Sequence, residues 1–110
     1  MTSTKSASDP RVTVTDRLHL SRQLQRMPNV GPATADDLLR LGITAPEDLI
    51  GRDSQVLYDT LCQIDGVRHD PYMLDVFTAV IAYAEGGPPT PWYDFTPARK
   101  NRNGASLPKA

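Results

Sequence analysis

The stretch "MPNVGPATADDLLRLGI", residues 27–43, decides how this chain is read. Pro28 ends the helical pattern before it, because a residue preceding proline is pushed out of the α region. Gly31 has no Cβ, so the chain can turn there with positive φ and a ligand can approach the backbone closely. Pro32 presets the bend. Leu38 and Leu41, with Ala35 and Leu39 nearby, then give one apolar side to a helix expected over 33–41. Gly42 closes it. The stretch is therefore expected to be a tight turn between two helices. The N–H groups of Gly31, Ala33 and Thr34 fall at the start of the second helix, where unpaired donors and the helix dipole favour an anion.

The pattern continues on both sides. Upstream, Leu20, Leu24 and Met27 follow at i, i+4, i+7 in a helix expected to begin at Thr15. Residues 1–14 are rich in Ser and Thr and are expected to be a disordered tail. Downstream, "TAPE" at 44–47 has the form of a capping box, with Glu47 reaching back and Pro46 early in a short helix. Asp53 can cap a helix carrying Leu57, Leu61 and Ile64, which Gly66 ends. "HDPYMLDVFTAVIAYAEGG" is the clearest helix in the chain, capped by Asp70 and closed by Gly86 and Gly87. Apolar over more than half its circumference, it belongs at the centre of the domain. No window alternates with period 2. The expected fold is all-α, with about five short helices over residues 15–96. Beyond it, an extended aromatic segment runs into a basic, flexible tail over 97–110.

Composition sets limits on function. The 110 residues carry a net charge of −1, 39% hydrophobic residues and one cysteine, Cys62. No apolar run approaches the roughly 18–20 residues that a membrane span needs, and the first residues lack the apolar core of a secretory signal. A cytoplasmic protein is expected. Charge is uneven: residues 24–85 hold four arginines against ten acids, while both ends are mildly basic. There is no P-loop, no dinucleotide fingerprint and no cluster with metal-ligand spacing. Cys62 reads as a small buried side chain, His69 as a surface histidine beside a capping aspartate, and Trp92 as a cover over the core. No enzyme activity, cofactor or metal is expected.

Pro28, Val30, Gly31, Ala35 and Leu38 or Leu39 match the helix-hairpin-helix motif. With "LGITAPEDLI", "YDTLCQIDGVRHDPYMLDVFTAVIAYA" and "PWYDF", the layout over residues 18–96 resembles a family of small bacterial helix-hairpin-helix proteins of pathogenicity-locus or mitomycin-resistance type. The resemblance implies a tandem, SAM-domain-like pair of hairpins. It also implies contact with DNA backbone, without sequence preference, at Asn29, Gly31, Ala33 and Thr34. Arg26, Arg40, Arg99, Lys100 and Arg102 would add charge. Two departures stand out. Ala33 occupies a place where DNA-binding hairpins often carry a cation, and Asp36 and Asp37 follow within a turn. The second unit, "QIDGVRHDP", is degenerate because Asp70 occupies the anion position, so it reads as structural. The alternative function is a protein–protein interaction adaptor whose acidic middle suits a basic partner.

Overall fold

The computed structural model describes the backbone of residues 14–106 and the side chains of residues 15–101. The described elements are all helical: α1 (Val14–Leu24), α2 (Pro32–Arg40), a 3₁₀ turn (Pro46–Leu49), α3 (Ser54–Asp65), α4 (Tyr72–Ala84), a second 3₁₀ turn (Trp92–Phe95) and α5 (Thr96–Ser106). α4 is the central helix, as its composition requires. Val76, Phe77, Ala79, Val80 and Ile81 are buried along it. Leu57, Tyr58 and Leu61 of α3 are buried with it in one core, as are Ala35 and Leu38 of α2 and Leu24, Met27 and Val30 from α1 and its loop. Helices of nine to thirteen residues are marginal alone, so this shared core holds them.

Several expected details differ. Residues 1–13 of the expected disordered tail lie outside the described residues, whereas Val14 is already helical, so Thr15 sits inside α1 rather than capping it. The expected third helix is a four-residue 3₁₀ turn. Asp48, not Glu47, reaches back: its carboxylate accepts from the Thr44 N–H at 3.0 Å, the Thr44 hydroxyl at 3.1 Å and the Ala45 N–H at 3.2 Å. These donors hold the Asp48 carboxyl below the usual carboxylate range, the Thr44 N–H most of all. On α3, Ile64 is half exposed because the last turn passes beyond the core, and Tyr58 fills the interior in its place. Burial raises the Tyr58 phenol above its ordinary value, and its hydroxyl donates to the His69 carbonyl.

The largest difference is at the C-terminal end. The expected extended aromatic segment is a 3₁₀ turn at Trp92–Phe95, and the chain continues as a helix to Ser106. Before it, residues 85–91 form a strap that leaves α4 and returns. Gly87 lies so close to α4 that an added Cβ would come within 2.9 Å of the Ala82 carbonyl oxygen. The strap delivers Trp92 to Tyr72, the first residue of α4, with ring centroids 5.2 Å apart.

Candidate nucleic-acid interface

The first hairpin joins α1 to α2. Arg17, early in α1, meets Asp36 of α2 at 2.8 Å, so the two helices fold back on one another. The turn is made differently from expectation. Asn29 carries the positive φ, at 72°, while Gly31 is extended at φ −96° and ψ −173°. Asparagine tolerates the left-handed region better than most residues, so the bend does not require glycine's conformational range. The space beside Gly31 is open: an ideal Cβ there would meet nothing within 4 Å. Gly31, Pro32 and Ala33 are exposed and Thr34 is half-buried.

Gly31 is the residue preceding α2, and no side chain caps that helix. Among the described residues, no acceptor engages the N–H of Gly31, Ala33 or Thr34, while the Gly31 carbonyl accepts from Ala35 at 2.9 Å. The amides therefore face outward at the positive end of the helix dipole.

The nearby acids are neutralised. Asp36 pairs with Arg17 and, at 3.4 Å, with Arg40; Asp37 pairs with Arg40 at 2.7 Å. Arg40 also binds Asp65 of α3. These carboxylates hold the Arg40 guanidinium still further above its ordinary value, Asp65 most strongly and then Asp37. Asp65 is held below the usual carboxylate range by Arg40 and then by His69, whose Nε2 lies 2.6 Å away. Arg40 is thus a bracket between α2 and α3 rather than a free cation. His69, expected on the surface, is only a quarter exposed, and its N–H donates to Cys62 Sγ at 3.3 Å.

Two more expected contacts are committed elsewhere. The Asn29 side chain donates through Nδ2 to the Thr90 carbonyl at 2.8 Å and accepts through Oδ1 from the Trp92 N–H at 2.8 Å. It fastens the hairpin to the strap. Arg99 lies against α4, where its Nε donates to Asp75 at 2.8 Å; the Thr96 hydroxyl donates to the other Asp75 oxygen at 2.8 Å. The Asp75 side chain is 2% exposed and that of Arg99 is 12% exposed, so the pair is internal. The sequence held a signal for it. An acid within an otherwise apolar helix must find a partner once buried. Arg26 and Lys100 remain exposed and make no ion pair among the described residues. The Arg102 side chain lies outside them.

A family model described as pathogenicity locus matches residues 17–101. The chain belongs to the pathogenicity-locus family. The match to this family begins at Arg17 and reaches past Arg99, so it holds both ends of the Arg17–Asp36 and Asp75–Arg99 pairs. The mitomycin resistance protein McrB of Streptomyces lavendulae is 39% identical over 77 residues, which is 70% of this chain and 73% of that protein. No solved structure matches significantly. Among the described residues, this pathogenicity-locus protein has no group of three or more His, Cys, Asp or Glu that could hold a metal ion. None of its described helices is long and apolar enough to cross a membrane.

Proposed function

We propose that this protein is a non-enzymatic helix-hairpin-helix module that contacts DNA backbone weakly and without reading sequence. One observation carries the reading: the Gly31, Ala33 and Thr34 amides at the start of α2 have no acceptor among the described residues. A phosphate oxygen is a fitting guest for such a nest, and backbone contacts of this kind position a protein without specifying bases. Pairing of Asp36 and Asp37 with Arg17 and Arg40 lowers the local repulsion. Arg26 is exposed on the chain entering the hairpin. With so few free cations, the contact must be weak, and its salt dependence shallow.

The test is a salt titration of binding to duplex and branched DNA by the full chain and by Gly31→Glu. Position 31 has extended backbone and open space, so the substitution leaves the fold intact while placing a carboxylate at the nest. Binding at low salt that Gly31→Glu weakens at least tenfold supports the reading. No binding at low salt, or binding indifferent to Gly31→Glu, removes it. A second reading, a protein-interaction adaptor, is favoured by Val56, Ile64 and Val67, each roughly half exposed on α3 and the loop after it. Co-purification that retains a protein and no nucleic acid would favour the adaptor.

A further inference from the structure

Trp92 packs against Tyr72 with ring planes tilted by 43°, and meets Tyr93 edge-on at 82° with centroids 5.7 Å apart. Tyr72 is 44% exposed and Tyr93 60% exposed, while Trp92 is half-buried between them. Three rings thus form an angled ledge open to solvent.

The ledge is tied to the first hairpin. Asn29 grips the backbone at Thr90 and Trp92, and Asn29 is two residues before Gly31. The open amides and the rings therefore share a fixed relation set by one side chain. Charge separates their roles. Asp94, next to Tyr93, is exposed, and Asp70, two residues before Tyr72, accepts the Tyr72 N–H at 3.1 Å. Carboxylates beside both tyrosines in the chain disfavour a phosphate but leave the neutral face of a nucleobase unopposed. Aromatic rings stack on any base, because every base has a π-face. At the nest the preference is reversed: amides without acceptors favour an anion.

We infer that the ledge holds an unpaired base, so that the preferred ligand is single-stranded or gapped DNA rather than intact duplex. This rests on the phosphate contact proposed above and adds its substrate class. A base inside a duplex has its faces covered by its neighbours and has none to offer Tyr93. In a gap or a single strand that face is free, and stacking supplements a phosphate contact poor in cations.

Trp92 is the sole tryptophan in the chain, so its fluorescence reports the ledge directly. The full-length protein is titrated at low salt with a single-stranded oligothymidylate, a blunt duplex and a gapped duplex, alongside Tyr93→Ala, Tyr93→Phe and Gly31→Glu. Tyr93 is exposed and its side chain makes no hydrogen bond among the described residues, so its variants keep the fold. The expected result is quenching of Trp92 and binding about tenfold tighter to the single-stranded and gapped ligands than to duplex. Tyr93→Ala abolishes that preference and leaves duplex affinity within twofold. Tyr93→Phe keeps the preference, and Gly31→Glu weakens all three ligands. Equal affinity for gapped and blunt duplex, or a Tyr93→Ala loss common to all ligands, overturns the ledge and leaves the phosphate contact standing. Absence of binding to every ligand overturns both.

Discussion

The two turns that lead into α2 and α4 do the same topological job and finish it differently. At the second, Asp70 spans the helix start: its carboxylate accepts from Tyr72, its carbonyl accepts from Met73 at 3.0 Å, and the Pro71 carbonyl accepts from Leu74 at 2.9 Å. At the first, the residue in the capping place is Gly31, which offers no side chain, and the nearest polar side chain, Asn29, turns away to the strap. The contrast teaches that a helix start closes when the turn before it supplies acceptors: the Asp70 and Pro71 carbonyls take Met73 and Leu74, while the Asp70 carboxylate takes Tyr72 and adds a negative charge where an anion would sit.

The largest effect is expected beneath the closed start. Arg99→Ala strips the partner from Asp75, which lies in the first turn of α4 and is buried. An unpaired buried charge costs about 3–5 kcal/mol, to be read as a lower urea midpoint. A loss below about 1 kcal/mol would mean that α5 does not dock as described. Next comes Asn29. Asn29→Ala loses both bonds to the strap and puts a Cβ residue without local compensation at φ 72°. About 2–3 kcal/mol is expected, from two net hydrogen bonds and a strained backbone. Asn29→Gly, which relieves the backbone alone, should recover about 1 kcal/mol of it in thermal melts.

Smaller again is Asp70→Ala. It should cost about 1 kcal/mol as a lost hydrogen bond, and it frees the Tyr72 amide and removes the charge beside it, which brings the second turn closer to the first. If an uncapped start is what binds phosphate, this variant should bind duplex DNA more tightly than the parent at low salt; unaltered or weaker binding would break the comparison. The smallest effect is with pH. The Asp65 carboxyl is depressed in the folded chain by Arg40 and His69, so the unfolded chain binds its proton first as pH falls. Its contribution is complete above the ordinary carboxylate pKa and is lost as pH falls through the lower folded value. Urea midpoints measured from pH 6 to pH 2 should therefore drop across that window, and less so in Arg40→Gln.

Much of the scaffold was legible because it is written locally. The apolar run of α4 and the Asp53 cap, which accepts from Gln55 at 2.8 Å and Val56 at 3.3 Å, depend on residues a few positions apart, as does the bond from the Tyr72 N–H to Asp70, although the residue in the capping place of α4 is Pro71 rather than the expected Asp70. What was not legible depends on distance. Asn29 meets Trp92 across 63 positions, Arg99 meets Asp75 across 24, and Arg40 meets Asp65 across 25. Each of these polar groups looks free in the sequence and becomes a fastener only once the helices pack. That is why Arg40, Arg99 and Asn29 read as ligand contacts, and why the segment after Trp92 read as extended. Its helix is fixed by Thr96 and Arg99 against an acid 21 and 24 positions earlier. At the candidate site the amides were foreseen, because helix starts follow from the chain direction alone; the partners of the acids beside them were not.

The strap over residues 85–91 sets a length rule for the whole molecule. Glu85 and Gly86 complete the last turn of α4, and Gly87 bonds back to the Ala82 carbonyl. From Ala82 to Tyr72 the helix spans about 15 Å, which the strap must retrace to bring Trp92 back to Tyr72. The five steps from Gly87 to Trp92 at an extended rise of about 3.3 Å reach about 17 Å, and three prolines among them keep the chain stretched. The reserve is a residue or so. Shortening the strap by two would pull the tryptophan off its tyrosine and the asparagine off its anchor together, whereas lengthening it would merely leave a bulge. The span of the central helix therefore sets a minimum reach for the segment behind it: the helix cannot lengthen, nor the strap shorten, without a compensating change in the other.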